Sequence, residues 1–211
     1  QKDYCKMCPA GQYQKDAVNN WFENDGKGIF EMATGTGKTF TAVGCIKKLE
    51  TIHDNLLVII SAPYSNLVDQ WKQELSKWYI DSNILDAGWT KELRQEIQVS
   101  NKSIDKKLSV LICSHAKFAR DEFLEIIKKS KIPVMLIVDE AHHVGAGNTG
   151  KDDDGVVVTN GSRKGLSEKY QYRLGLSATI ERYFDQDGTD FIRNYFSGSS
   201  GKSTVYTMSL K

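Results

Sequence analysis

Short runs of apolar, β-favouring residues recur along the chain, separated by longer stretches in which apolar residues return every three or four positions. The short runs are Gly28 to Ala33, Leu56 to Ala62, Ser109 to Ser114, Val134 to Val138 and Tyr172 to Ser177. Near-continuous apolar strands of this kind belong to sheets covered on both faces. Between them, Lys38 to Glu50, Asn66 to Trp78 and His115 to Lys129 carry helical spacing and predict the crossover helices. A helix from about Gln12 to Asn24 precedes the first strand, a weaker one spans Thr90 to Val99, and a last strand is expected from Ser203 to Leu210. Gly145 to Gly165 is glycine-rich, contains Asp152-Asp153-Asp154, has neither period and reads as a mobile surface loop. The alternation predicts an α/β fold, a mostly parallel sheet with helices on both faces.

Composition narrows the class. A chain of 211 residues that is 40% hydrophobic and 26% charged suits one domain or at most two small ones, which excludes disorder, collagen and coiled coil. The longest apolar run, Leu56 to Ile60, is far short of the roughly 20 residues a membrane helix needs, so a cytoplasmic protein with no membrane partner is expected. Twenty-eight Lys and Arg against 27 Asp and Glu leave a net charge of +1, so any contact with a polyanion must be local. Of the four cysteines, Cys45 and Cys113 fall in apolar segments and are expected as reduced thiols. Cys5 and Cys8 have the spacing of half a zinc site, yet no second pair follows at ligand spacing, so zinc is not expected to be held within this chain. The chain runs from Gln1 to Lys211 and is expected to be a fragment of something longer.

The first strand runs into Thr34-Gly35-Thr36-Gly37-Lys38-Thr39 and then a helix. In a strand-loop-helix context, small residues let backbone N–H groups wrap phosphates, and the helix dipole adds positive potential. Lys38 supplies a point charge for the β- and γ-phosphates of ATP, and the Thr39 hydroxyl is a ligand for Mg²⁺. Met32 stands where the general phosphate-loop pattern has its first glycine. The strand ending at Val138 is followed by Asp139-Glu140-Ala141-His142. An acidic pair after an apolar strand is often no more than a solvated strand end. Beside a phosphate loop, Asp139 is expected to hold Mg²⁺ through water, and Glu140 to orient or deprotonate an attacking water.

With Lys38 and Asp139 both present, the chain resembles the first RecA-like domain of a superfamily 2 helicase or translocase of the DEAH-box kind. Tyr13-Gln14-Lys15-Asp16-Ala17 is similar to the element upstream of the phosphate loop whose glutamine reads adenine. Ile59-Ile60-Ser61-Ala62-Pro63 with Leu67, Gln70 and Trp71 resembles motif Ia, and Val110 to His115 resembles motif Ib. Leu174-Gly175-Leu176-Ser177-Ala178-Thr179, followed by Glu181 and Arg182, resembles motif III. The resemblance covers about residues 12 to 182. It is strongest toward restriction-enzyme motor subunits and excision-repair-type helicases, and His142 replaces the Asp of RNA-processing DEAD-box proteins, which favours DNA over RNA.

The resemblance implies a RecA-like P-loop NTPase domain over residues 12–196, preceded by an extension over 1–11 and followed by a tail over 197–211 that leads toward a second RecA-like domain. It implies an ATP hydrolase that moves on nucleic acid when joined to that second domain, and a weakly active or inactive domain alone. Gln14, Thr34 to Lys38 and Thr39 are the implied nucleotide contacts. Ser177 and Thr179 are implied to couple nucleotide state to nucleic acid, although either would also serve as a strand cap. His142 shares that role or is simply exposed beside His143. Pro63, Tyr64 and Ser65, with Ser114 and His115, are the implied nucleic-acid contacts, gripping phosphates rather than bases. Trp21, Trp71, Trp78 and Trp89 are assigned to packing rather than to a ligand. Two other readings fit part of the pattern: an ATP-gated switch with slow hydrolysis, and a P-loop NTPase unrelated to nucleic acid.

Overall fold

The computed structural model describes residues 11–145, 150–151, 157–158, 161–181 and 185–208. Its strands are β1 (Lys27–Met32), β2 (Asn55–Ala62), β3 (Asn83–Ile84), β4 (Lys107–Ser114), β5 (Val134–Val138), β6 (Gly150–Lys151), β7 (Val157–Val158), β8 (Tyr172–Ser177) and β9 (Thr204–Met208). Its α-helices are α1 (Gln12–Glu23), α2 (Lys38–Glu50), α3 (Ser65–Lys77), α4 (Trp89–Lys102), α5 (His115–Phe118), α6 (Asp121–Ile127) and α7 (Gln186–Phe196). Seven strands form one sheet in the order β3-β4-β2-β5-β8-β1-β9, and every neighbouring pair is parallel.

Parallel strands need crossovers, and the crossovers cover both faces. The side-chain alternation of the strands sorts the core into two halves. Leu56, Val58 and Ile60 of β2 with Met135 and Ile137 of β5 pack against Ala17 and Trp21 of α1, Ile46 and Leu49 of α2, and Val68 and Leu75 of α3. Leu57, Ile59, Val134, Leu136 and Val138 face Leu93 and Ile97 of α4, Phe118 of α5, Phe123 of α6 and Ile192 of α7. Because all strands run one way, the carboxyl ends of β1, β8, β5, β2 and β4 emerge along one edge, the place where doubly wound sheets bind ligands.

Three expectations change in detail. The helix expected over His115 to Lys129 is two helices, α5 and α6, separated at Ala119 and Arg120. A continuous helix would turn Phe123 about 140° away from Phe118, at roughly 100° per residue. The break lets both rings enter the core, with centroids 6.0 Å apart. The loop between Gly145 and Gly165 is anchored at both ends: both glycines are buried, Gly161–Gly165 forms a 3₁₀ turn, and β6 pairs antiparallel with β7. Asp152, Asp153 and Asp154 lie outside the described residues. The last strand, expected from Ser203 to Leu210, is present as β9 and starts one residue later, at Thr204: it pairs with β1 at the sheet edge, and the Met208 carbonyl accepts the Ala33 N–H at 2.9 Å.

Cys45 and Cys113 are buried, and Cys5 and Cys8 lie outside the described residues. Among the described residues no helix is long and apolar enough to cross a membrane.

The two-faced burial of β5 sets a stability expectation. Ile137 is 0% exposed at the centre of the sheet, whereas Ile104 is 99% exposed. Ile137→Ala is expected to cost about 3 kcal/mol, and Ile104→Ala less than about 0.5 kcal/mol, read as shifts of the urea midpoint at constant slope.

Candidate nucleotide site

The phosphate loop begins where β1 ends. Gly35 and Gly37 have φ of +82° and +85°, a region that residues with a Cβ avoid. Gly37 caps α2, and a Cβ there would stand 2.8 Å from Gln14 Nε2; at Gly35 nothing lies within 4 Å. Within the loop, Thr36 Oγ1 donates to the Ala33 carbonyl at 2.6 Å, and Tyr13 Oη donates to the Thr36 carbonyl at 3.1 Å. Thr34 and Gly35 are exposed, Thr36 is buried, and Lys38 and Thr39 open α2 half-buried. Met32 is still a strand residue whose side chain is fully buried in the core, so its position does not require a glycine.

At the end of β5, the Asp139 N–H donates to the Ser61 carbonyl at 2.8 Å, tying the acidic turn to β2. Asp139 Oδ1 accepts the Glu140 N–H at 3.0 Å, and Oδ2 accepts the Trp71 indole N–H at 2.8 Å. Burial pushes the Asp139 pKa up and the neighbouring Glu140 charge adds to this, against the hydrogen bond from Trp71 and the Lys38 charge. Glu140 adopts a left-handed backbone, with φ 45° and ψ 52°, that turns its carboxylate back over the strand ends. Its Oε1 lies 3.3 Å from Lys38 Nζ, and its Oε2 lies 3.4 Å from His142 Nδ1.

The expected coupling residues do meet. His142 Nδ1 is 2.8 Å from Ser177 Oγ, and the Ser177 hydroxyl donates to the Thr179 carbonyl. A hydroxyl has one proton, so Nδ1 of His142 carries the hydrogen of the first contact. One hydrogen-bonded chain therefore runs from the turn after β8 to the acidic turn. Glu31, which the sequence reading passed over, holds that turn from below: its Oε1 accepts the Ile180 N–H at 3.0 Å, and its Oε2 accepts from Thr204 Oγ1 at 3.1 Å. Arg182 lies outside the described residues.

Gln14 is buried, with its Oε1 accepting the Gly11 N–H at 3.0 Å and its amide nitrogen beside Gly37. Pro63, Tyr64 and Ser65 precede or open α3, and Tyr64 is 58% exposed. The Tyr64 ring meets His143 at 6.0 Å, and His143 meets His142 at 4.2 Å. Ser114 and His115 depart from expectation. Both are buried; the Ser114 hydroxyl accepts the Lys117 N–H, and His115 Nδ1 faces Ser61 Oγ at 2.7 Å. The side chains of this pair do not reach the surface and are removed from the nucleic-acid contacts.

The donor set suits a nucleotide-bound cation. Among the described residues no group of three or more His, Cys, Asp or Glu side chains could hold a metal by itself. Mg²⁺ commonly takes one or two protein oxygens and completes its shell with substrate phosphates and water. A hydroxyl at Thr39 and a carboxylate at Asp139 beside a phosphate loop fit that pattern.

Comparisons agree with this geometry. A family model described as "Type III restriction enzyme, res subunit" matches residues 8–182. The ISWI chromatin-remodeling complex ATPase ISW2 of Saccharomyces cerevisiae is 30% identical over 148 residues, 67% of this chain and 12% of that protein. The chain thus spans about an eighth of that relative. The Sulfolobus solfataricus SWI2/SNF2 ATPase core in complex with dsDNA is similar with a TM-score of 0.58 at 19% identity, covering 85% of this chain and 35% of that one. A nuclease-deletion mutant of the type ISP restriction-modification enzyme LlaGI, in complex with a DNA substrate mimic, gives 0.65 at 18% identity, covering 84% and 16%.

A pH dependence follows from His115. Burial, with His143 and His142 nearby and against a backbone hydrogen bond to Asp139, lowers its pKa from 6.5 to about 3. The unfolded chain then binds the proton first, so stability falls as pH drops from about 6.5 toward 3 and the slope ends below that. The loss attributable to His115 is on the order of 3 kcal/mol by pH 4. Urea midpoints of the parent chain at pH 7 and pH 4, compared with those of His115→Asn, are expected to show a shallower acid loss in the variant.

Proposed function

The chain belongs to the type III restriction enzyme res subunit family and is a RecA-like, helicase-like ATPase motor domain; on that premise we propose that it binds Mg-ATP and hydrolyses it in response to DNA. The observation that carries this reading is the meeting of Lys38 and Glu140 at 3.3 Å across 102 residues of sequence, which puts the phosphate loop and the acidic turn in one site. Gln14 contacts the base, Thr34 to Thr39 surround the phosphates, and Lys38 turns to the β- and γ-phosphates. Thr39 and Asp139 hold Mg²⁺, which when bound neutralises charge on those phosphates.

Glu140 orients the attacking water and accepts its proton as the oxygen bonds to the γ-phosphorus. The bond from that phosphorus to the bridging oxygen breaks, and the bridging oxygen leaves with ADP. Ser177, Thr179 and His142 link this site to the turn after β8 and make the acidic turn sensitive to nucleic acid. Pro63, Tyr64 and Ser65 contact the phosphate backbone, so base sequence is not read. Two of the similar structures are complexes with DNA or a DNA mimic, which supports DNA as the track.

The charge that builds on the transferring group calls for arginines from a second RecA-like domain. Without them turnover is expected to be about 10³- to 10⁵-fold lower. In a protein carrying both domains, DNA is expected to raise ATP turnover. Glu140→Gln is expected to lower that turnover by about 10²- to 10⁴-fold while nucleotide binding persists. Turnover indifferent to single-stranded DNA, duplex DNA and RNA alike would overturn the reading.

A further inference from the structure

We propose that Trp71 is a positioning residue for the divalent cation: its indole N–H fixes the Asp139 carboxylate in the orientation in which that carboxylate holds the metal of bound nucleotide. The inference rests on the reading of Asp139 given above and extends it to a residue on a different element.

Trp71 is 2% exposed and lies on the buried face of α3 with Val68 and Leu75. Packing alone would be served by any large apolar ring. What tryptophan adds is one N–H donor that must find an acceptor when buried. The contrast with Trp21 is informative: that indole donates to the Arg173 backbone carbonyl at 2.9 Å, an internal structural bond. The Trp71 indole instead crosses 68 residues of sequence to the carboxylate at the head of the acidic turn, at 2.8 Å.

With Oδ2 on the indole and Oδ1 on the Glu140 N–H, both oxygens of Asp139 are fixed. A carboxylate has about four lone-pair sites, so two remain for the cation or its waters. The Asp139 backbone is itself pinned to Ser61, so the indole bond and the Glu140 N–H together set the remaining freedom, rotation of the side chain. Groups that orient metal ligands in this way typically change metal affinity by about 10- to 100-fold when removed. Trp71 also lies less than two turns into the helix that Ser65 opens, so a shift of α3 acts on the cation site through this bond.

The test uses the chain of residues 1–211 and a slowly hydrolysed fluorescent ATP analogue, titrated with Mg²⁺ and, separately, bound in EDTA. Two variants remove the donor: Trp71→Phe, and benzothienylalanine placed at position 71 by nonsense suppression, which keeps the ring shape and replaces N–H by sulfur. Each is expected to raise the Mg²⁺ concentration for half-maximal binding about 10-fold, with binding in EDTA unchanged. In an Asp139→Ala background the same replacements are expected to have no further effect. The Trp71 indole ¹⁵N–¹H resonance is expected to move when Mg²⁺ is added to the nucleotide complex. If Asp139→Ala raises the Mg²⁺ requirement and the benzothienylalanine variant does not, the inference fails and the reading of Asp139 stands. If Asp139→Ala leaves the requirement unchanged, that reading fails and the inference with it. Equal losses with and without Mg²⁺ would make Trp71 a packing residue only.

Discussion

Parallel hydrogen bonding of β8 between β1 and β5 is the constraint from which the rest of the molecule follows. It forces the chain to leave β1 by a crossover and return several strands away. It also brings two distant stretches of sequence, the phosphate loop and the acidic turn, to the same edge of the sheet. The strand between them contributes the turn with Ser177 and Thr179, so the three elements stand side by side before any side chain is considered. Lys38, Glu140, His142 and Ser177 then meet above the strand ends.

The polar layer above the sheet is held by backbone groups as much as by side chains. The Ser61 carbonyl fixes Asp139, the Met208 carbonyl fixes Ala33, and the Ile180 N–H is taken by Glu31. Each of these partners lies on a neighbouring strand or just beyond one. Loops of this kind resist displacement because moving one costs hydrogen bonds that buried groups cannot replace with water. Within the phosphate loop, Gly35 and Gly37 supply the positive φ that other residues avoid, and the remaining order comes from the neighbours.

Much of this was legible in the sequence, for identifiable reasons. The central strands announce themselves because a strand buried on both faces is apolar at every position, and Lys38 to Glu50 reads as a helix because its apolar residues return every three or four positions. The phosphate-loop geometry was legible because its signal is local, a loop and a helix N-terminus. Long-range polar contacts were not. Nothing in the periodicity distinguishes Trp71 from Trp21, or a buried His115 from an exposed one, since both depend on what another strand presents. The break between α5 and α6 was hidden because helical spacing tolerates a five-residue step on paper. Glu31 was missed because a lone carboxylate inside an apolar strand carries no pattern.

The two-sided core has a consequence for how the domain tolerates change. The backbone of the sheet separates an upper and a lower set of packed side chains that share strands but few direct contacts. Substitutions on the α1–α3 side and on the α4–α7 side should therefore combine nearly additively, while substitutions within one side compete for the same space. A lineage can then retune the layer beneath the nucleotide loop without repacking the layer opposite, and the sheet acts as a partition between two reservoirs of variation.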